Sequence, residues 1–151
     1  MVAWQEGTLN VVLPMVMHAL NNCIDHGYIF PKKRGRSSGP AELFVTTQRD
    51  GGRIVITVAD HGAGVDRARL VELAHQHGLD EIVKNDPLEV LFADGMSTAE
   101  QVTLTSGRGV GLAAIRAMAR ASGGDAVLST PPEGGTKLVI WLPVQAARTA
   151  A

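Results

Sequence analysis

The sequence predicts an α+β fold in which a β-sheet is covered by helices in a two-layer sandwich. Three observations support this prediction. An apolar stripe at helical spacing lies near the start of the chain, two pairs of neighbouring strand candidates follow, and further helical segments lie between the two pairs. Neighbouring strands form antiparallel hairpins, so hairpins interleaved with helices favour this class over a doubly wound parallel sheet.

The first helix is predicted from apolar residues that recur three and four positions apart, which places them on one face. Because proline lacks an N–H and is tolerated in a first turn, we expect the helix to begin at or near Pro14. Gly27 is the expected C-terminal stop. The polar and basic stretch Lys32–Pro40 is predicted to be an exposed loop. The apolar stripe consists of Leu9, Val12, Leu13, Val16, Met17, Leu20 and Ile24.

Two hairpins and three more helices are predicted after this loop. Asp50-Gly51 lies between β-rich runs, which is a strong hairpin signal. The stretch Met96–Arg108 is mostly polar and we expect it to be mobile. The strand candidates are Glu42–Gln48 and Arg53–Ala59, then Asp125–Ser129 and Thr136–Leu142, and the helical segments are Asp66–His77, Pro87–Phe92 and Gly111–Ala121.

Length, charge and composition limit the classes of function. A chain of 151 residues is typical of one domain, which we place at residues 1–151. A net charge of −1 provides no field for nucleic acid or an anionic membrane, and no apolar run is long enough to span a bilayer. Cys23 is the single cysteine, which excludes an internal disulfide framework. Without a visible secretory signal, we expect a cytoplasmic protein.

Polar residues concentrate on one face of the first predicted helix. His18, Asn22, Asp25 and His26 follow the spacing i, i+4, i+7 and i+8, so they lie on the same side. The face is either simply solvated or directed at a charged ligand. In the second case, Asn22 offers an uncharged oxygen to Mg²⁺, which prefers oxygen ligands and takes few from protein when phosphates supply the rest.

The second strand ends in the pattern Asp60-x-Gly62-x-Gly64. One interpretation is a helix-entry turn in which Asp60 is an ordinary cap. The other is that Asp60 accepts a hydrogen bond from an exocyclic amine, while the glycines let the backbone approach a planar base. A buried carboxylate paired with an amino group would distinguish adenine from guanine.

A glycine-rich segment leads directly into the helix predicted after residue 110. Backbone N–H groups and the helix dipole at such a place favour phosphate. The spacing fits neither the dinucleotide pattern nor Walker A, so a different nucleotide fold is needed. A further glycine turn, Gly134-Gly135-Thr136, needs no function beyond closing a hairpin. The glycine-rich segment reads Ser106-Gly107-Arg108-Gly109-Val110-Gly111-Leu112.

Taken in order, these four elements resemble the ATP-binding domain of the Bergerat (GHKL) type found in histidine kinases. The resemblance spans about Leu13 to Pro143 and is greatest with the catalytic domain of the CheA chemotaxis kinases, which share the N-box signature at every named position. The matching positions are His18, Asn22, Asp25, His26 and Gly27 for the N box, Asp60, Gly62 and Gly64 for the G1 box, Gly107–Gly111 for the G2 box and Gly134-Gly135-Thr136 for the last glycine box.

The resemblance implies a mixed sheet with helices on one face and ATP between the layers. It implies that Asn22 holds Mg²⁺ between the phosphates, with His18 and His26 near the triphosphate as catalytic residues. Asp60 would read adenine, with Thr136 close by. The stretch Asp94–Ser106 would be a lid over ATP. The remaining implied nucleotide contacts are Asp25, Gly62, Gly64, Ser106, Gly107, Arg108, Gly109, Val110, Gly111 and Leu112.

The implied activity is that of an ATP-dependent protein-histidine kinase. The γ-phosphate would pass to a histidine on a separate phosphotransfer or dimerisation domain, since His18 and His26 belong to the ATP site. Two alternatives stay open: a regulatory switch of the anti-sigma-factor type that phosphorylates serine, and a non-catalytic adaptor. The chain departs from the family pattern at His61, where Asp or Asn is frequent, and at Asp94-Gly95-Met96, where Pro-Gly-Phe is usual.

Overall fold

The computed structural model describes residues 6–23, 42–62, 64–93 and 111–144. The elements alternate between helices and hairpins in the predicted order, which confirms the α+β fold class. None of the helices in these ranges is long and apolar enough to cross a membrane. In chain order the elements are α1 (Glu6–Asn22), β1 (Leu43–Asp50), β2 (Arg53–Asp60), α2 (Arg67–Gln76), α3 (Asp80–Asn85), a 3₁₀ helix (Pro87–Phe92), α4 (Leu112–Ala121), β3 (Asp125–Ser129) and β4 (Lys137–Pro143).

The four strands form one sheet in the order β1-β2-β4-β3. Each neighbouring pair is antiparallel, with Val58 opposite both Val45 and Leu138. Strands β2 and β3 run in the same direction, but β4 lies between them. The resemblance implies a mixed sheet, but the sheet of the described ranges is antiparallel, since no two of its hydrogen-bonded strands are parallel.

The core lies between this sheet and the helices. Alternate residues of β2 and β4, such as Ile56 and Ile140, are fully buried on the face that meets the helices. Met15 of α1 and Ile115 of α4 are fully buried against them. Because the strand period is two and the helix period is 3.6, β2, β4, α1 and α4 each turn one apolar side inward, and the two layers close on a single cluster.

Helix α1 begins eight residues earlier than the predicted start, so the expectation of a start at Pro14 is wrong. Pro14 lies inside the helix. A proline leaves the carbonyl four residues before it without its helical hydrogen bond, here that of Asn10. Both Pro14 and Asn10 are exposed, so water can satisfy that carbonyl and the helix continues.

The apolar stripe of α1 is also corrected in part. The buried side is formed by Val12, Met15 and Ala19, while the expected core residues Leu9, Leu13 and Met17 are exposed. Both sets recur at helical spacing, and only the packing of α1 against α4 and the sheet selects between them. Ile24, Gly27, the loop Lys32–Pro40 and the stretch Met96–Arg108 lie outside the described residues.

A buried arginine connects the 3₁₀ helix, α4 and β3. Arg116 of α4 is 8% exposed, and its Nη2 donates to Glu89 Oε1 at 2.9 Å. Its Nε donates to the backbone oxygen of Ala126 at 2.9 Å, and its guanidinium lies 3.5 Å from the ring centre of Phe92. Because the guanidinium of Arg116 on α4 is bound by groups from the 3₁₀ helix and from β3, the end of the 3₁₀ helix is fixed against α4 and the sheet.

Candidate functional site

Asp60 ends β2 with its side chain 2% exposed. Its Oδ1 accepts a hydrogen bond from the Gly62 N–H at 2.7 Å, and its Oδ2 accepts one from the Thr136 hydroxyl. The backbone N–H of Asp60 donates to the backbone carbonyl oxygen of Thr136 at 2.9 Å. Burial of a carboxylate is destabilising unless the group is hydrogen-bonded. Here the donors come from two separate segments of the chain, the loop after β2 and the turn before β4.

The alternative that Asp60 is only a helix cap is wrong. The N-cap of α2 is Asp66, whose side chain accepts a hydrogen bond from the Arg69 N–H at 3.1 Å. Asp60 lies six residues earlier and is buried. The Asp60 carboxylate therefore does not cap α2.

Glycines allow the loop after β2 to touch the turn between β3 and β4. Gly64 and Gly135 have φ of +72° and +79°, in the left-handed region that side chains disfavour. A Cβ on Gly135 would lie 1.9 Å from the Asp60 carbonyl oxygen, and one on Gly64 would lie 3.2 Å from the Gly135 oxygen. The glycines predicted to admit a base thus also let two backbone segments approach each other.

Cys23 directly follows α1 and is half-buried against the core. Burial is the largest cause that raises the pKa of the Cys23 thiol, to about 12, and the charge of Asp60 acts in the same direction. The half-buried position agrees with the core cysteine that the sequence predicts.

Asn22, the last residue of α1, has a buried side-chain nitrogen. Among the residues that the structure describes, this Nδ2 has no hydrogen-bond partner. His18, one turn earlier, is half-buried. Because a buried amide group without a partner is destabilising, the Asn22 side chain is suited to a polar ligand.

The side-chain amide of Asn22 fits a magnesium ion that is shared with phosphates. The described ranges hold no group of three or more His, Cys, Asp and Glu that could bind a metal. Mg²⁺ in nucleotide sites takes one or two protein oxygens and completes its shell with phosphate oxygens and water. An amide at the end of a helix meets that requirement, with its oxygen for the metal and its unpartnered nitrogen for a phosphate oxygen.

Gly111 is the N-cap of α4, and no side chain caps the helix there. The first N–H groups of a helix have no partner within the helix, and a glycine cap leaves room for an anion beside them. Leu112 packs against the core, and α4 packs against α1, so the start of α4 is held in the same layer as Asn22.

Several predicted site residues lie outside the described residues. These are Asp25, His26, Ser106, Gly107, Arg108, Gly109 and Val110, and their roles stay predictions. The structure brings together Asp60, Gly62 and Thr136. It also describes the family departure His61, whose ring centre lies 5.1 Å from that of Phe44 on β1.

Comparison with known proteins gives matches along most of the chain. Residues 10–146 match the family described as histidine kinase-, DNA gyrase B-, and HSP90-like ATPase. The chemotaxis protein CheA of Treponema pallidum is 34% identical over 142 residues, and that of Salmonella typhimurium is 35% identical over 141. A gliding motility regulatory protein of Myxococcus xanthus is 30% identical over 143 residues.

These alignments cover 90%, 90% and 89% of this chain, but only 18%, 21% and 18% of the respective relatives. The chain therefore spans about a fifth of the length of the relatives it matches. The matches confirm the resemblance to CheA proteins that the four motifs indicate. The chain belongs to the histidine kinase-, DNA gyrase B- and HSP90-like ATPase family.

Proposed function

We propose that this catalytic domain, residues 1–151, transfers the γ-phosphate of ATP to a histidine on a separate acceptor domain. The observation that carries the proposal is the hydrogen bonding of the buried Asp60 carboxylate by Gly62 and Thr136, because it joins two of the four motifs at one point of the sheet, which α1 also contacts. We retain the cytoplasmic location predicted from the sequence as part of this proposal.

In this proposal Asp60 selects the base. Its carboxylate is held by donors from Gly62 and Thr136, so it presents acceptor lone pairs only. The 6-amino group of adenine is a donor, whereas guanine carries an oxygen at the same position. If guanine were bound, the buried Asp60 carboxylate would face an oxygen and neither acceptor would have a donor. This loss disfavours the binding of GTP.

Asn22 and its neighbours hold the phosphates. Asn22 Oδ1 would hold Mg²⁺, which when bound would offset the negative charge of the phosphates. Asn22 Nδ2 donates to a phosphate oxygen. His18, Asp25 and His26 lie on the same predicted face, and the N–H groups of residues 107–111 contact phosphate at the start of α4.

The transfer itself needs little covalent chemistry from this chain. A nitrogen of the acceptor histidine attacks the γ-phosphorus, a new N–P bond forms, and the bond from phosphorus to the β,γ-bridging oxygen breaks, which releases ADP. Catalysis of such a step depends mainly on positioning and charge stabilisation. In this proposal, the residues that hold the base and the phosphates supply both the positioning and the charge stabilisation.

Transfer is tested by incubating the chain with radiolabelled ATP and a histidine-phosphotransfer domain from its own system. We expect label on that domain in an acid-labile, base-stable bond, and little label on the chain alone. Asn22→Ala should reduce transfer at least about 100-fold, since phosphoryl transfer depends on its metal, without loss of helix, since alanine favours helices. Asn10→Ala, at an exposed position of α1, is the matched control.

Other outcomes would contradict the proposal in distinct ways. Acid-stable label on a serine of the partner would favour the anti-sigma type of switch. Absence of ATP binding would favour an adaptor that kept the fold. Rapid ATP hydrolysis without a partner would argue against both kinase assignments, and full transfer by a folded Asn22→Ala variant would remove Asn22 from the metal site.

A further inference from the structure

Arg116 connects the end of the 3₁₀ helix to the first part of α4. The 3₁₀ helix ends at Phe92, with Ala93 as its C-cap, and α4 begins after Gly111. The Arg116 guanidinium lies 3.5 Å from the ring centre of Phe92, and both residues line one cavity with Ala93. Since Arg116 follows Gly111 by between one and two helical turns, it is close to the start of α4.

Three of the guanidinium nitrogens are bound at once. Nη1 donates to Glu89 Oε2 and Nη2 donates to Glu89 Oε1, the second at 2.9 Å. Nε donates to the Ala126 carbonyl oxygen on β3 at 2.9 Å and lies 3.3 Å from Asp125 Oδ1. A planar fork bound at two carboxylate oxygens and one carbonyl has a single orientation. Helix α4, the 3₁₀ helix and β3 are therefore held in one arrangement.

The ion pair defines a position more than it adds stability. Replacing a buried ion pair by packed apolar side chains is often neutral or stabilising, so the core does not require a charge at residue 116. The charge is satisfied only where Glu89 and the Ala126 oxygen are both within reach. The hydrogen bond between the partners is the largest cause that lowers the pKa of Glu89 and raises that of Arg116, so both are charged at neutral pH.

We propose that Arg116 is a positioning residue for the phosphate end of the nucleotide: through Glu89 and Ala126 it fixes the start of α4 relative to Asp60. This inference rests on the proposed function, which assigns the base to Asp60 and the phosphates to the start of α4. Asp60 ends β2, and β4 joins β2 to β3 in the sheet. The Ala126 oxygen thus belongs to the same sheet as Asp60, and Arg116 ties α4 to that sheet.

Arg120, one turn later on α4, provides the matched comparison. Its Nε and Nη2 also donate to one carboxylate, that of Asp125, both at 3.2 Å. However, its side chain is 60% exposed, and among the described residues it makes no hydrogen bond to the 3₁₀ helix. Exposed ion pairs are screened by water and contribute little. Removing Arg120 therefore changes the charge of α4 as removing Arg116 does, without releasing the start of the helix.

The role is tested by calorimetric titration with ATP and, separately, with adenosine, which lacks the phosphates. Arg116→Met keeps an apolar side chain but loses the fork. We expect its dissociation constant for ATP to rise about tenfold, since displaced binding groups lose productive contacts, while that for adenosine changes by less than about twofold. Glu89→Gln loses one of the two bonds, and its constant for ATP should rise about threefold. Arg120→Met should change neither constant.

The comparison of the two ligands separates positioning from general loss of structure. A folded Arg116→Met variant with wild-type affinity for ATP would overturn the inference. Equal losses of affinity for ATP and adenosine would also overturn it, because they indicate that the whole site is damaged. Urea unfolding shows whether each variant is folded. If Arg116→Met does not fold, Glu89→Gln decides: unchanged ATP affinity in that variant contradicts the positioning role.

Failure of the proposed function gives different results. A wild-type chain that binds ATP but labels no histidine contradicts the proposed transfer, while the positioning role of Arg116 stands on the titrations. A wild-type chain that binds ATP no more tightly than adenosine contradicts the phosphate contacts and with them this inference. A wild-type chain that binds neither ligand contradicts both proposals.

Discussion

At Asp60, a residue that is 2% exposed, the carboxylate accepts hydrogen bonds from the loop after it and from the β3–β4 turn. Both donors, the Gly62 N–H and the Thr136 hydroxyl, are neutral groups. Free lone pairs on such a group bind an additional donor strongly, because hydrogen bonds to charged groups are stronger than those between neutral groups.

Replacing Asp60 by Asn tests this residue directly. The amide presents a donor where Gly62, Thr136 and the base also present donors. We expect ATP affinity to fall by about 1–3 kcal/mol, roughly 5- to 150-fold, while the affinity for GTP changes little. Calorimetric titration with both nucleotides measures this, with urea unfolding to show that the variant is folded. Unchanged ATP affinity, or equal binding of ATP and GTP by the wild type, would contradict the assignment.

At the scale of elements, the site depends on the contact between the loop after β2 and the β3–β4 turn. Gly135 lies so close to the Asp60 carbonyl that a Cβ would overlap it. This contact keeps Thr136 in place, since Thr136 follows Gly135 and binds both the backbone and side chain of Asp60. The last glycine box therefore acts on the base-reading residue through backbone packing.

Gly135→Ala should displace this turn from β2. The strained φ and the overlap together should lower the free energy of unfolding by about 2–4 kcal/mol, and ATP affinity should fall as well. Gly78→Ala is the matched control: Gly78 has a similar φ of +70°, but a Cβ there would meet nothing within 4 Å. It should cost about 1 kcal/mol and leave binding intact. Equal losses of stability in the two variants would show that the contact is unimportant.

At the scale of the whole molecule, ion pairs connect α4 to the 3₁₀ helix through Glu89 and to the sheet through Asp125. The hydrogen bond from Arg116 is the largest effect on the Glu89 carboxyl and lowers its pKa below the ordinary 4.5. For Asp125 on β3, burial acts to raise the pKa, but hydrogen bonds from Arg120 and the Ala126 N–H outweigh it and lower the pKa. Both carboxyls are thus stabilised in the charged form by α4.

Stability should therefore decrease in acid. A carboxyl whose pKa is lower in the folded state contributes stability above its unfolded value, here near 4.5 for Glu89, and this contribution is lost as pH falls through the folded pKa. We expect constant stability from pH 7 to 5 and a progressive loss below about pH 4.5, measured by urea midpoints.

Glu89→Gln is the control for this pH dependence. It should lower stability at pH 7 by about 1–2 kcal/mol, a modest value because the Glu89 side chain is partly exposed and screened. It should also lose less stability on acidification than the wild type. Parallel pH profiles for the two proteins would show that Glu89 does not contribute to the acid response.

Local patterns predicted most elements to within one or two residues. Both hairpins formed as expected, because alternation and an Asp-Gly turn are short-range signals. The predicted start of α1 at Pro14 is wrong, because water can satisfy the Asn10 carbonyl, which Pro14 leaves without a helical hydrogen bond. Helix α3 was missed, because six residues without a buried side chain carry no apolar period.

The sequence by itself determined the order of elements, the four motifs and the identity of Asp60 and Asn22 as candidate ligand residues, because each depends on spacing along the chain. Only the tertiary structure decided which of these residues meet. Thr136 lies 76 positions from Asp60, and the two meet because β2 and β4 are neighbours in the sheet. How α1 packs on the sheet is likewise decided only in the tertiary structure, by burying Val12, Met15 and Ala19 rather than the equally periodic Leu9, Leu13 and Met17.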